Sequence, residues 1–227
     1  HEVENVRWFF GNEWRKGDYS ASKSAIRARL VNLLGEEDFA AMTCGPATVP
    51  FYDLVEAGKT LLFSLGAAGK ETAQTIGKLV MSMVTIVGEL RKETEVAKRH
   101  PVHVFVDECQ NFTGPSTLTI LEELRKYGVF LTLANQSIEQ LDRDVQNSVL
   151  GNAGVVIMGG GAIVPAMLKK LGIDAEAARS LQPRRFLVKW GTSAVADVAT
   201  RSDLANNSHT MLTTEKIVFK LYQRRYY

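Results

Sequence analysis

Apolar positions change their spacing along the chain, and the changes mark out elements. Val3, Val6, Phe9 and Phe10 recur at helical spacing until Gly17 breaks the run. A second helical run carries Ile26, Leu30, Leu33 and Leu34 on one face and ends at Gly35. Residues 36–58 are less regular, with Gly45, Pro46 and Pro50 as breakers. From Lys59 short continuous apolar runs appear, as buried strands require. They are TLLFSL (60–65), VHVFVD (102–107), VFLTLA (129–134), GVVIM (154–158) and FLVKW (186–190). Helical patterns separate them: 71–92 through Ile76, Leu79, Val80, Met83, Val84 and Val87, then 116–127 through Leu118, Leu121 and Leu124, then 137–150. Apolar strands alternating with helices predict an α/β fold with a mostly parallel sheet covered on both faces.

Composition limits the reading without deciding it. The 227 residues are 45% hydrophobic and 23% charged, ordinary for a protein with a substantial core. A net charge of only +2 excludes histone-like DNA binding, so any DNA contact must come from local patches. Two cysteines, Cys44 and Cys109, make neither a disulfide framework nor a metal cluster, and a reducing cytosolic compartment is expected. The apolar stretch 76–90 carries Lys78 and Glu89 and is too short to span a bilayer. The first residue is His1, so the chain is expected to start inside a longer polypeptide or after processing, and any membrane anchor to lie outside these residues.

The sharpest chemical feature is VHVFVDECQNF (102–112), an apolar run ending in Asp107-Glu108. Such a strand delivers two carboxylates at its C-terminal end, where α/β sheets place ligands. That is the Walker B pattern: Asp107 for the Mg²⁺ shell through water, Glu108 to position and polarise the attacking water. A strand followed by a solvated acidic turn fits these residues equally. Arg125-Lys126 ends the next helix before Tyr127-Gly128, and the following strand ends in Ala134-Asn135-Gln136-Ser137. Arg125 can be an arginine finger or a charge complementing a helix C-terminus. Gln136 can be a γ-phosphate sensor or a polar helix start.

Taken together, DECQNF, ILEELRKYGVFLTLANQSIEQL and VLGNAG resemble the HerA/FtsK superfamily of P-loop ATPases, in particular the conjugation and type IV secretion coupling proteins of the TraG, TraD and TrwB type. EAGKTLLFSLGAAGKETAQTIGKLV resembles the segment that precedes Walker B in those proteins. The likeness spans roughly 20–160 and is most specific over 102–152. It implies Asp107 and Glu108 as the Walker B pair, Gln136 as sensor and Arg125 as finger, with Lys126 the alternative and Gln110 and Asn111 in support. It further implies ATP and Mg²⁺ as cofactors, a homohexamer, DNA as cargo, and secretion-channel or relaxosome partners at the inner face of a membrane. The domains it implies are a helical segment (1–58), the second half of a RecA-like core (59–205) and a tail (206–227).

A phosphate loop needs G-x-x-x-x-G-K-[ST]. Of three Gly-Lys pairs, Gly58-Lys59 puts Asp53 at the first glycine, Gly69-Lys70 puts Ser64 there and Glu71 at the hydroxyl, and Gly77-Lys78 puts Thr72 there and Leu79 after. None fits. Gly58-Lys59 reads as a turn before a strand, and the phosphate loop is expected upstream of this chain. Without its strand, neighbouring strands would expose apolar faces and unpaired edges. Gly159-Gly160-Gly161 reads as a flexible turn. Arg184, Arg185 and Lys189 can touch DNA phosphates or line a solvated edge, and Arg224 and Arg225 sit in a terminal tail. Trp8, Phe9 and Trp14 read as packing on a helix. Two other functions stay open: an ATPase moving protein cargo, and a non-catalytic structural or recruitment subunit.

Overall fold

The computed structural model describes residues 2–35, 39–40, 49–66, 69–159 and 165–200. Cys44, Gly160, Gly161, Arg224 and Arg225, and the expected tail, lie outside these. The chain divides into two compact units, His1–Asn135 with Gln140–Val149, and Gln136–Glu139 with Leu150–Tyr227.

In the first unit, α1 (Glu2–Trp8) runs into a π-helical turn (Phe9–Glu13), and Gly17 separates it from α2 (Ser20–Leu34). Phe9 packs edge-on to Phe10 and Tyr19, and Trp14 stacks on Tyr19, so these aromatics pack on one another. No residue of α2 is buried, although its pattern predicts an apolar face. Then come α3 (Phe51–Glu56), α4 (Lys70–Leu90), β1 (Val102–Val106), α5 (Pro115–Glu123), β2 (Val129–Leu133) and α6 (Arg143–Asn152), whose last turn, from Leu150, belongs to the second unit.

β1 and β2 pair in parallel, Val102 opposite Val129 through Val106 opposite Leu133. Parallel neighbours need a crossover, and α5 supplies it. The core joins Phe51 of α3, Met81, Val84 and Val87 of α4, Ile120 and Leu124, and Val129 of β2. Two glycines let α4 come close to the crossover. A Cβ on Gly77 would lie 2.2 Å from the Phe112 ring, and one on Gly88 would lie 2.6 Å from Leu124.

The second unit holds β3 (Val155–Gly159), α7 (Pro165–Leu171), α8 (Ala175–Arg179), β4 (Arg185–Trp190) and β5 (Ala196–Ala199). Its sheet is antiparallel, in the order β3-β4-β5. Met158, Leu168, Leu171, Ile173, Ala178 and Leu187 form its core.

The α/β class, with a parallel strand pair flanked by helices, is as the sequence predicts. Three details differ. The 154–158 and 186–190 runs pair with each other antiparallel instead of extending the parallel sheet. The link between them, which carries α7 and α8, is long enough for either arrangement, so its length does not choose the pairing. Residues 60–65 form no strand. Leu61 packs on the core while Leu62 is exposed, and no strand pairs with this run among the described residues. Finally, the parallel pair is covered on one face. Val104, Val106 and Leu131 turn to the core, whereas Phe105 is 75% exposed and the His103 and Phe130 rings stack at 5.2 Å on the open face.

Candidate functional site

The alternation of β1 decides where its carboxylates go. The strand ends at Val106, and the chain turns at once through Asp107 and Glu108 into a 3-10 turn (Cys109–Asn111). Both acidic residues are exposed. The ladder continues past the strands: Ala134 N–H donates to Val106 O, and Cys109 N–H donates to Ala134 O, each at 2.9 Å. The C-terminal tips of β1 and β2 are thus side by side at the acidic pair.

Glu108 adopts a left-handed backbone, φ 48°, ψ 45°. A side chain there costs on the order of 1 kcal/mol and is held only by its surroundings. Here the Glu108 N–H donates to Asp107 Oδ1 at 2.9 Å, and the Glu108 carbonyl accepts from both Asn111 N–H (3.1 Å) and Asn111 Nδ2 (3.2 Å). Gln110 Nε2 donates to Glu108 Oε2 at 2.6 Å. Gln74 Nε2 of α4 in turn donates to Asn111 Oδ1 at 3.3 Å. The residues expected to support the pair therefore fix its backbone and one carboxylate oxygen. Beneath them Cys109 is fully buried, and burial pushes its thiol up to about 11.

The donor set suits Mg²⁺. Among the described residues no cluster of three or more His, Cys, Asp or Glu forms a protein cage. Mg²⁺ characteristically takes one or two carboxylates, with substrate phosphates and water completing its shell. Two adjacent exposed carboxylates at a strand tip are compatible with that arrangement.

Arg125 belongs to a different place. It lies in a 3-10 turn (Leu124–Tyr127) after α5, and Gly128, at φ 76°, closes that turn with its N–H on Arg125 O at 3.0 Å. Gly128 O accepts from Val102 N–H at 2.8 Å, which puts the turn at the N-terminal end of the strand pair. Five residues of strand separate it from the acidic pair, roughly 16 Å at about 3.3 Å per residue. The two basic residues also differ. Lys126 Nζ sits 5.2 Å from the centre of the Tyr127 ring. The Arg125 side chain is exposed and, among the described residues, no hydrogen bond or ion pair holds it. Gln136 is exposed and belongs to the second unit, two residues beyond Ala134 in sequence.

Gly58-Lys59 is a turn, as expected, but residues 60–65 after it form no strand, and Gly69-Lys70 opens α4. Gly58, at φ 67°, follows α3, and its N–H bonds Val55 O while Lys59 N–H bonds Leu54 O, so the pair closes a helix instead of opening one. Gly77 lies inside α4. Of the basic residues proposed for DNA, Arg185 is paired with Asp197 at 2.9 Å, which raises its pKa further, and Lys189 Nζ donates to Leu171 O. No described helix is long and apolar enough to cross a membrane. The buried Arg91, discussed below, is a residue that pattern reading missed. It stands amid charged neighbours in Arg-Lys-Glu-Thr-Glu, where a solvated helix end is the natural reading.

Residues 101–172 match the family described as the TraM recognition site of TraD and TraG. A comparison with curated proteins finds no match. Solved structures similar to the chain include the genome packaging NTPase B204 from Sulfolobus turreted icosahedral virus 2. Its complex with ATP-gammaS is 16% identical, covers 67% of this chain and 88% of that one, and gives a TM-score of 0.42. Its complex with AMPPCP is 18% identical, with 56% and 62% covered and a TM-score of 0.41. Its complex with sulfate is 22% identical, with 44% and 53% covered and a TM-score of 0.35. The chain thus spans 53% of the length of the sulfate-bound chain and 62% of the AMPPCP-bound one. The segment that contains Asp107, Glu108, Arg125 and Gln136 is the segment matched by the family model, and over residues 101–172 the chain is TraD/TraG-like, as its resemblance to the coupling proteins implies.

Proposed function

We propose that these residues form the second half of a RecA-like motor that hydrolyses ATP to move DNA, in the manner of a conjugative coupling protein acting as a homohexamer. The observation that carries the proposal is the Asp107-Glu108 turn at the adjoining tips of two parallel strands, within a segment matching TraD and TraG. A strand tip of this kind is where a nucleotide's phosphates meet carboxylates in α/β proteins.

In this reading Asp107 holds water of the Mg²⁺ shell. The ion, when bound with ATP, neutralises charge developing on the phosphate oxygens. Glu108 orients and polarises the attacking water. Gln110 fixes one oxygen of that carboxylate. Gln136 senses the γ-phosphate. The phosphate loop comes from a segment outside these residues.

Arg125 acts on a neighbouring subunit's nucleotide, a role supported by its exposure and by its distance from its own acidic pair. Head-to-tail interfaces of that kind close into rings. The family description adds a partner: a TraM-like protein docking within residues 101–172.

The test of cargo is ATP hydrolysis by the complete protein with and without DNA. Stimulation by DNA is expected. Stimulation by a protein substrate and not by DNA would assign the motor to protein secretion, and absence of nucleotide binding would make the chain a recruitment subunit.

A further inference from the structure

The turn that carries Arg125 is gripped from behind by two other arginines. Arg91, at the end of α4, has no exposed side-chain surface. Its Nε donates to Glu56 Oε1 of α3 at 2.7 Å, and its Nη1 donates to Tyr127 O at 3.2 Å. Arg99, in the link to β1, donates from Nε to Thr94 O at 2.9 Å and from Nη1 to Lys126 O at 3.1 Å, and its guanidinium lies 5.3 Å from the centre of the Tyr127 ring. Consecutive carbonyls, Lys126 and Tyr127, are thus each held by a guanidinium, immediately after Arg125.

A buried arginine is an expensive way to stabilise a fold. Its desolvation offsets most of what its ion pair returns, and a packed apolar side chain is often as good or better. Among the described residues Arg91 Nη2 is also buried without a partner, a cost that hydrogen bonding there does not recover. What a guanidinium supplies that an apolar group cannot is direction. Its planar fork fixes the angle between the groups it joins, here a carboxylate on α3 and a carbonyl of the Arg125 turn. Gly128 is required by its backbone, φ 76°, rather than by space, since a Cβ there would make only ordinary contact with Arg91 Nη1 at 3.5 Å.

We propose that Arg91 and Arg99 are positioning residues that set the direction in which Arg125 is presented, with Glu56 anchoring Arg91. This rests on the reading of Arg125 as a finger acting on a neighbouring subunit. A misplacement of about 1 Å can cost on the order of 100-fold in a rate. Loosening the clamp should therefore act on turnover and leave nucleotide affinity alone.

The experiment is single-turnover ATP hydrolysis by the complete protein bearing Arg91→Met, Arg91→Lys, Arg99→Gln or Arg125→Ala, and by Arg91→Met and Arg99→Gln each combined with Arg125→Ala. Arg91→Met and Arg99→Gln are expected to lower the rate roughly 10- to 100-fold with KM for ATP unchanged. Arg91→Lys keeps the charge but not the fork, and should not restore the rate. Each double variant should be no slower than Arg125→Ala alone, because the clamp acts only through Arg125. Should Arg91→Met fail to fold, Arg99→Gln, on a half-buried side chain, answers the same question. Losses that multiply in the double variants, or single variants with wild-type rates, would overturn the clamp. A wild-type rate in Arg125→Ala would instead overturn the finger reading beneath it.

Discussion

Arg125 and Glu108 stand at opposite ends of the same parallel strand pair. Arg125 is in the turn whose Gly128 carbonyl meets Val102, and Glu108 follows the strand end at Val106. Within one chain, Arg125 is therefore too far away to serve the Asp107-Glu108 pair. Under the motor reading, Arg125→Ala should lower turnover by roughly 10³- to 10⁵-fold, the range that arginine fingers contribute. Mixing it with inactive Glu108→Gln subunits should restore measurable hydrolysis, because some interfaces then join an intact Glu108 to an intact Arg125. Mixtures as inactive as their components would place Arg125 outside the neighbour's site.

Gln110 holds one oxygen of the Glu108 carboxylate at 2.6 Å. Replacing it by leucine removes that bond and should loosen the hold on the oxygen it orients. The hydrogen bond is exposed, so a loss of about 1 kcal/mol in orientation is expected, about fivefold in kcat, with KM for ATP unchanged. Steady-state kinetics against ATP concentration checks this, and an unchanged kcat would remove Gln110 from the mechanism.

The close approach of α4 to Phe112 gives a prediction about stability. Gly77→Ala places a methyl group 2.2 Å from a ring carbon, so helix or ring must move. Overpacking of that kind costs about 1–3 kcal/mol, more than the gain in helix propensity. Denaturant unfolding should show a lower midpoint with an unchanged slope.

Cys109 predicts behaviour at high pH. Burial raises its thiol from 9.0 to about 11. The folded state therefore keeps a proton that the unfolded chain releases. This contribution to stability is fully present below about pH 9 and is lost as pH rises through 11, by roughly 2 kcal/mol at the upper end. Urea unfolding of Cys109→Ala across pH 8–11 should show a shallower alkaline decline than wild type. Parallel declines would mean that other groups dominate.

Much of this was legible before any coordinates. β1, β2 and α4 follow from unbroken apolar runs and helical spacing, and the Asp-Glu step marks a strand end by itself. What failed was pairing. The runs 154–158 and 186–190 look like any buried strand, and apolarity does not distinguish a parallel neighbour from an antiparallel one. LLFSL is apolar enough for a strand, yet a strand also needs an edge to pair with. Apolar Phe105 reads as buried, although the pleat turns it to the open face. The buried Arg91 left no sequence signal, because its partners Glu56 and Tyr127 are far along the chain, and the left-handed Glu108 left none because its local bonds to Asp107, Gln110 and Asn111 fit an ordinary acidic turn as well.

The central claim is that Asp107-Glu108 is the hydrolytic end of a nucleotide site. The most direct test is nucleotide binding and turnover measured together on Glu108→Gln in the complete protein. The substitution preserves shape and removes the carboxylate charge. Binding of ATP at wild-type affinity with turnover abolished is the predicted result, and turnover at the wild-type rate would contradict the assignment.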